Sequence, residues 1–317
     1  MRSATVRQLQ IFSVAASHLS FARAAEKLHL THAAISLQIK QLEDVCGTQL
    51  FDRIGKKVFL TEAGDILLDH ARQILQSLKD ADESLMALKG LKGGRVTIAV
   101  TSTAEYFAPG LLAEFRKAQA DVRVRLLVDN REEVSRMLIS NEVDLAIMGR
   151  PPADMEAEAT TFAPHPFVIV AGADHPLVGR SALTLDDIAQ ETMIVREAGS
   201  GTRLAMEGFF RDHGLEPNID MEMGSNEAIK QAVVAGLGIS FISQHTLGLE
   251  LSAGRLVVLP VEGMPVMRRW FLVRHKSKRL TPALGAFWDF VLEFAPDYLK
   301  RLAACRTFSS RERMTYA

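Results

Sequence analysis

The sequence predicts an N-terminal all-α domain with a small β-hairpin, then one long helix, and then an extended α/β region. Three patterns predict this class: short capped amphipathic helices at the start, a heptad repeat after them, and strands that alternate with helices in the rest of the chain. We place the domains at residues 1–61, 62–90 and 91–305, and we expect a mobile tail over residues 306–317.

The composition is that of an ordinary globular protein, with 48% hydrophobic and 24% charged residues among 317. The longest nearly apolar run, residues 232–242, is too short to cross a bilayer. Cys46 and Cys305 are the only cysteines and have no paired spacing, which supports neither a disulfide framework nor a metal site. These observations predict a cytoplasmic protein without a membrane partner.

The net charge of −1 conceals a basic N-terminus. Residues 1–60 carry eight Lys and Arg against four Asp and Glu, a balance of +4, whereas the rest of the chain is acidic. Such an excess predicts binding to the phosphates of a nucleic acid. Because the excess is modest, one copy would bind weakly, and we expect several copies to bind together.

Residues 31–46 predict the helix around which the N-terminal domain is organised. Thr31 is a good N-cap, and Ile35, Ile39 and Leu42 recur at helical spacing on one apolar face. The other face carries short groups and one cation: His32, Ala33, Ser36, Leu37 and Lys40. Small groups allow a helix to approach the major groove of DNA closely, and polar tips reach the base edges. An ordinary surface helix is the alternative.

The flanking residues favour DNA binding. Residues 21–28 form a second helix capped by Ser20, and a short turn leads from it into the third helix, which is a helix-turn-helix arrangement. Gly47 ends the third helix, and two short strands around Gly55 then form a wing. The DNA contacts predicted for this winged helix-turn-helix are Arg23, Thr31, His32, Ser36, Leu37, Lys40, Arg53, Lys56 and Thr61.

A heptad seam marks the long linker helix. Its apolar positions alternate in steps of four and three: Leu67, Ala71, Ile74, Leu78, Ala81, Leu85 and Leu88. This spacing predicts a two-helix coiled coil and hence a dimer, although a helix that lies on its own domain is the alternative. A twofold dimer would read an inverted-repeat operator, because each recognition helix reads one half-site.

The alternation of strands and helices predicts parallel sheets in residues 91–305, arranged as two doubly wound α/β subdomains. Strands are expected at residues 95–100, 122–128, 143–148, 167–171, 193–195, 219–223, 239–242, 256–259 and 269–273. Helices are expected at residues 109–118, 132–140, 185–189, 202–212, 227–235 and from 282 to about 299.

Three segments predict a binding site in this region, at residues 101–103, 199–203 and 224–226. Each lies where a strand ends or a helix begins, so it offers backbone N–H groups and hydroxyl or amide donors to an anion. The predicted site residues are Thr101, Ser102, Thr103, Gly149, Arg150, Arg196, Ser200, Gly201, Thr202, Arg203, Ser225 and Asn226. Arginines among them supply charge for a carboxylate or a phosphate. Plain helix capping is the alternative for each segment taken alone.

The sequence carries no common catalytic motif. It has no Gly-x-Ser-x-Gly, P-loop or His-Glu-x-x-His, and Gly236 and Gly238 lead into a strand, which is the wrong order for a dinucleotide fingerprint. Single histidines are usually structural or solvated, and five occur in the α/β region: His165, His175, His213, His245 and His275. Of these we expect His175, beside Pro176, to face the cleft.

The N-terminal motifs resemble those of LysR-type transcriptional regulators. They are Ser20-Phe21, Ala24-Ala25, Ile35-Ser36, Leu42-Glu43, Gly47, Leu50-Phe51, Arg53, Leu60-Thr61 and Ala63-Gly64. The resemblance implies an effector region like that of periplasmic binding proteins, with a small molecule between two halves, a dimer of dimers on operator DNA, and contact with RNA polymerase. One departure, Thr31-His32 where relatives commonly have Gln followed by Pro or Ser, prevents transfer of base preferences.

The effector region resembles the CbbR group, the LysR-type activators of Calvin-cycle (Rubisco) operons. The matching segments are residues 148–152, 196–203 and 224–233. The resemblance implies no bound cofactor and an effector that is a phosphorylated metabolite, such as ribulose bisphosphate or phosphoenolpyruvate, or NADPH. A carboxylate effector in another pathway is the alternative, and a solute-binding protein or an enzyme is a remote one. Closure around the ligand would move the linker through Gly93 and Gly94 and change the bend of the DNA.

Overall fold

A computed structural model describes residues 3–55, 57–88, 93–153 and 155–311. Contacts divide the chain into two compact units, Met1–Leu91 with Ser140–Glu142, and Lys92–Ile139 with Val143–Ala317. None of the helices in these described ranges is long and apolar enough to cross a membrane.

The N-terminal unit contains three short helices, a hairpin and a long helix. Their bounds are α1 (Val6–His18), α2 (Phe21–Leu28), α3 (His32–Cys46), β1 (Phe51–Ile54), β2 (Lys57–Leu60) and α4 (Glu62–Leu88). Side chains of Thr5, Ser20 and Thr31 cap the first three helices, each by accepting from a backbone N–H three residues on. Local capping therefore sets the predicted boundaries of the helix-turn-helix.

Helix α3 and the hairpin are joined through Glu43. Its Oε1 accepts from the backbone N–H groups of Leu50 at 2.9 Å and Phe51 at 3.3 Å, where β1 begins. The ring of Phe51 packs edge-on against Phe12 and Phe21, with centroids 5.5 and 5.1 Å away. These contacts hold the wing against the α1–α3 core.

The C-terminal unit has nine strands and seven α-helices in the described ranges. The strands are β3 (Gly94–Thr101), β4 (Val122–Asp129), β5 (Leu145–Met148), β6 (Ala157–Gly172), β7 (Met193–Arg196), β8 (Ile219–Met223), β9 (Ser240–Ser243), β10 (Leu256–Val258) and β11 (Val266–His275). The helices are α5 (Ala108–Ala118), α6 (Arg131–Ile139), α7 (Leu185–Ala189), α8 (Gly201–Asp212), α9 (Asn226–Val234), α10 (Gly248–Ser252) and α11 (Pro282–Arg311).

The sheets of this unit are mixed. The order of the main sheet is β10-β6-β11-β5-β3-β4, with β9 also paired to β6, and β7 pairs with β8 separately. Pairing is parallel at β3–β4, β3–β5 and β7–β8, as predicted for doubly wound halves. In contrast, β6 and β11 pair antiparallel over ten residues of β11 and run through both α/β halves.

Two predicted boundaries lie ten or more residues from the observed ones. Strand β6 begins ten residues before the predicted start at 167, and it includes Pro164 and Pro166, which sequence reasoning treats as signs against a strand. The final helix α11 continues to Arg311, past the predicted end near 299 and through Pro296. The predicted mobile tail therefore begins as a helix, and residues 312–317 lie outside the described ranges.

Candidate effector cavity and nucleic-acid interface

A cavity of about 450 Å³ lies in the C-terminal unit, between its two α/β halves. One wall is the segment after β3 together with the start of α6, and the facing wall is the first turn of α8. Strands β6 and β11 close the remaining side. This volume falls within the range of about 300–1,000 Å³ that is usual for small-molecule sites.

Buried hydroxyl groups line both walls. Thr101 and Thr103 are 7% and 5% exposed, and their Oγ1 atoms lie 3.4 Å apart. On the facing wall, Ser200 caps α8 through Thr202 N–H, and both residues are buried. Hydroxyls of this kind can donate to the oxygens of a ligand, and the positive end of the α8 dipole lies beside them.

The charge of the cavity is positive. Four of its lining residues are arginines: Arg131, Arg150, Arg268 and Arg269. None of the described residues that line it is Asp or Glu. Guanidinium groups favour an anion, which they can hold with paired hydrogen bonds.

Eight of the twelve predicted effector residues line this cavity. They are Thr101, Ser102, Thr103, Gly149, Arg150, Ser200, Gly201 and Thr202. Two segments more than ninety residues apart thus meet at one site, as the strand-end argument expected.

Arg196 and Asn226 do not line the cavity. The side chain of Arg196 is 2% exposed, and it donates to Glu197 at 2.7 and 2.8 Å, to Ser102 Oγ at 3.0 Å and to Asn226 Oδ1 at 2.8 Å. Burial raises the pKa of Glu197, but the hydrogen bonds and the charge of Arg196, together with other hydrogen bonds to the carboxylate, outweigh it, so the pKa of Glu197 lies below its usual value. Protein groups thus use the polar atoms of these two residues in this structure, and their predicted contact with the effector stays a prediction.

Arg203 and Ser225 are also placed elsewhere. Arg203 pairs with Glu207 and lies 3.7 Å from Glu222, and it donates to the carbonyl oxygen of Arg196. The Oγ of Ser225 accepts from two backbone N–H groups at the start of α9. In the segment at residues 224–226, Ser225 thus acts as a helix cap, and its predicted contact with the effector stays a prediction.

Sequence reasoning missed several lining residues, among them Arg131, His165, Phe167, Met267, Arg268 and Arg269. Arg268 and Arg269 could have been found from the sequence, because they form an arginine pair where a predicted strand begins. His175, which we expected in the cleft, is not a lining residue, and its Nδ1 accepts from Leu177 N–H in a tight turn.

His165 is the most buried titratable group of the cavity, with 2% of the residue exposed. Its ring stacks on Trp270 at a centroid distance of 3.7 Å, and its Nε2 lies 2.9 Å from Ser243 Oγ. Burial, with a smaller contribution from His245, lowers the pKa of His165 well below 6.5. The imidazole is therefore neutral at physiological pH.

The exposed face of α3 carries most of the predicted base-reading residues. His32, Leu37 and Lys40 are exposed, with Leu37 at 54%, and Arg23 is exposed on α2. The Oγ of Ser36 is buried and has no hydrogen-bond partner among the described residues, because Ser36 borders the buried stripe of Ile35 and Ile39. In this conformation Ser36 does not present its hydroxyl to DNA.

The other predicted DNA contacts differ in their placement. Thr31 and Thr61 use their side chains as helix caps, and Thr61 Oγ1 also donates to Gln49 O at 2.8 Å. The side chain of Arg53 and all of Lys56 lie outside the described residues.

The predicted seam on α4 has two parts. Leu67 and Ala71 are buried in the core of the N-terminal unit, as the alternative of a helix on its own domain expected. Ile74, Leu78 and Leu85 are 41%, 47% and 59% exposed. Only the second part of the helix therefore leaves an apolar stripe for another chain.

Comparisons with known families cover both units. Residues 6–65 match the family described as bacterial regulatory helix-turn-helix protein, lysR family. Residues 89–296 match the LysR substrate binding domain, which is more than half of the chain.

Known proteins and structures are similar over long ranges. The RuBisCO operon transcriptional regulator of Allochromatium vinosum is 50% identical over 92% of this chain and 96% of its own. The HTH-type transcriptional regulator CfxR of Cupriavidus necator is 48% identical over 95% of each chain. The CcmR regulatory domain of Synechocystis PCC6803, solved in complex with 2-PG, is 38% identical, with a TM-score of 0.62 over 64% of this chain and 99% of that one.

Proposed function

Because this chain belongs to the LysR family of bacterial regulatory helix-turn-helix proteins, we propose that it regulates carbon-fixation (Rubisco) genes when an anionic metabolite binds its cavity. Family membership makes the chain a DNA-binding transcriptional regulator and not an enzyme. The observation that carries the proposal is the cavity itself, where four arginines meet the first turn of α8 and no described lining residue is acidic.

The effector is a small phosphorylated metabolite. A phosphate carries more charge and more acceptor oxygens than a carboxylate, so it can use several arginines and the buried hydroxyls at once. The ligand named for the Synechocystis relative, 2-PG, supports a small effector. A cavity of about 450 Å³ fits a metabolite of that kind better than a whole dinucleotide such as NADPH. A carboxylate effector in another pathway is the second candidate, since the same donors suit it.

Closure of the two halves is the switch in this proposal. Contacts between them already exist beside the cavity, where Glu132 N–H donates to Gly199 O at 3.2 Å and Arg196 donates to Ser102. An anion that takes hydrogen bonds from both walls adds to these contacts and favours the closed state. The motion passes through Gly93 and Gly94 to the linker helices and alters the bend of the operator.

The protein acts as a dimer of dimers on an inverted repeat. Helix α3 enters the major groove with Leu37 against a thymine methyl and Lys40 on a phosphate, and the exposed stripe of α4 pairs two copies. Contact with RNA polymerase and a cytoplasmic location follow from the role in transcription, and both stay predictions.

Two measurements test the function. Footprinting upstream of the Rubisco operon should show protection of an inverted repeat that shifts when ligand is added. Calorimetry against 2-PG, ribulose bisphosphate, phosphoenolpyruvate, NADPH and muconate should show binding of at least one phosphorylated compound. Preference for muconate would establish the carboxylate alternative, and an absence of protection at any carbon-fixation promoter would exclude the proposed genes.

A further inference from the structure

The ring of His165 has a nitrogen in the cavity wall without a hydrogen-bond partner among the described residues. Nδ1 of His165 is buried, and no described residue forms a hydrogen bond with it. Buried polar atoms nearly always have a partner, and His165 lines the cavity. A group that enters the cavity from solution can provide the missing bond.

Gly149 borders the same nitrogen. A Cβ built on Gly149 would lie 3.1 Å from His165 Nδ1, whereas the φ of Gly149 is not in the left-handed region. The backbone conformation at this position does not require glycine. The space beside Nδ1 requires glycine, because the side chain of any larger residue would cover the nitrogen.

The hydrogen bonds of Ser243 are compatible with a proton on Nδ1 of His165. Ser243 Oγ accepts from His245 N–H at 3.4 Å, so its own proton can be donated to Nε2 of His165, 2.9 Å away. A neutral imidazole has one N–H, which then lies on Nδ1. With the proton on Nδ1, the cavity contains a buried neutral donor in addition to its arginines.

We propose that His165 is a specificity-determining residue of the cavity, whose Nδ1–H donates to a hydroxyl or carbonyl oxygen of the bound anion. The proposal rests on the proposed function and names the ligand class more closely: an anion with an uncharged oxygen beside its charged groups. Arginines select for charge, whereas a neutral donor selects for the presence of that oxygen. A site with such a donor rejects an analogue that lacks the acceptor, because the buried donor is then left unpaired.

Two pairs of probes differ in one hydroxyl: 3-phosphoglycerate with its 2-deoxy analogue, and malate with succinate. Calorimetry on the full chain should give at least about tenfold tighter binding of the hydroxylated member of the pair that binds. His165→Gln keeps a group within reach of Ser243 but removes the Nδ1 donor. Gly149→Ala covers the donor and keeps the ring. In both variants the ratio of the two affinities, with and without the hydroxyl, should fall to near one. His165→Asn, whose amide nitrogen replaces Nδ1, should retain part of the preference for the hydroxylated probe.

Nitrogen NMR of the parent protein with labelled histidine measures the tautomer of His165 independently. We expect a protonated Nδ1 and an unprotonated Nε2. Arg203→Ala, on the side of α8 away from the cavity, is the control and should keep the parental ratio. A proton on Nε2, or an equal ratio in the parent, His165→Gln and Gly149→Ala, overturns the role of His165 while the proposed function stands. A parent that binds none of the four probes and none of the five earlier compounds overturns both.

Discussion

Arg196 Nη1 donates to Ser102 Oγ at 3.0 Å although the two residues are 94 positions apart. The same nitrogen donates to Asn226 Oδ1 at 2.8 Å, and Asn226 Nδ2 donates to Ser102 O at 3.2 Å. This triangle joins the ends of β3 and β7 to the first turn of α9. The triangle therefore joins the two halves beside the cavity, which Ser102 lines and which Arg196 and Asn226 do not.

Asn226→Ala should destabilise the C-terminal unit. The substitution removes two hydrogen bonds from a residue that is 1% exposed, so the free energy of unfolding should fall by about 1–3 kcal/mol. Urea unfolding measures the loss, and Gln231→Ala on the exposed side of α9 is the control, with an expected change below about 0.5 kcal/mol. Equal stability of the two variants would show that the triangle is not a structural element.

Arg269→Ala should weaken the binding of a phosphorylated effector. Hydrogen bonds to charged groups contribute about 1.5–3 kcal/mol each, so the Kd should rise by about ten- to a hundredfold. Arg203→Ala removes the same charge outside the cavity and should change the Kd by less than about twofold, because Arg203 is paired with Glu207. Similar losses in both variants would argue for a general charge effect and against the site.

Leu37→Ala and Lys40→Ala should affect DNA binding differently. Loss of the 54% exposed Leu37 side chain should change the preference at one base pair by about 1–3 kcal/mol. Loss of Lys40 should weaken binding to all sequences alike and lower the salt slope by about one unit. Titration of operator variants at several salt concentrations separates the two effects. An unchanged preference in Leu37→Ala would mean that α3 lies elsewhere in the complex.

Leu78→Asp should disrupt the dimer without unfolding the protomer. Leu78 is 47% exposed in the single chain, so a charge there is tolerated until a second helix buries it, at a cost of several kcal/mol. Sedimentation should show smaller particles while circular dichroism retains the helical signal. Leu68→Asp, at a position that is 7% exposed, should instead unfold the N-terminal unit. If Leu78→Asp sediments like the parent, another surface forms the dimer.

Acid should destabilise the protein through His165. Its folded pKa lies well below 6.5 because burial and His245, 5.8 Å away, disfavour the charged ring. Between pH 6.5 and that lower pKa the unfolded ring binds a proton that the folded ring does not. Above pH 6.5 the His165 ring therefore adds no pH dependence to the free energy of unfolding. Below pH 6.5 that free energy falls as the pH falls, by up to about 1.4 kcal/mol per pH unit. Urea unfolding at several pH values measures this dependence, and His165→Asn should have a smaller slope of unfolding free energy against pH. The same slope in the variant and the parent would indicate a ring that is charged in the folded state.

Local interactions made much of this protein predictable from its sequence. Caps at Thr5, Ser20 and Thr31 and the periodicity of Ile35, Ile39 and Leu42 act within three or four residues, so they specify α1 to α3 wherever the rest of the chain lies. The strand ends at Thr101 and the start of α8 at Ser200 are equally local. The sequence by itself therefore determined the winged helix-turn-helix and the segments of two cavity walls, although β3 and β7 lie in different sheets and only the tertiary structure brings their ends together.

Only the tertiary structure decided which charged groups are available to a ligand. Arg196 and Arg203 looked equivalent to Arg150 in the sequence, but Glu197, Glu207 and Asn226 occupy the first two. The third wall depends on the antiparallel pairing of β6 with β11, where Arg268 stands opposite His165 and Arg269 opposite Pro164. Such partners come from segments about a hundred residues apart, and no local propensity specifies their register.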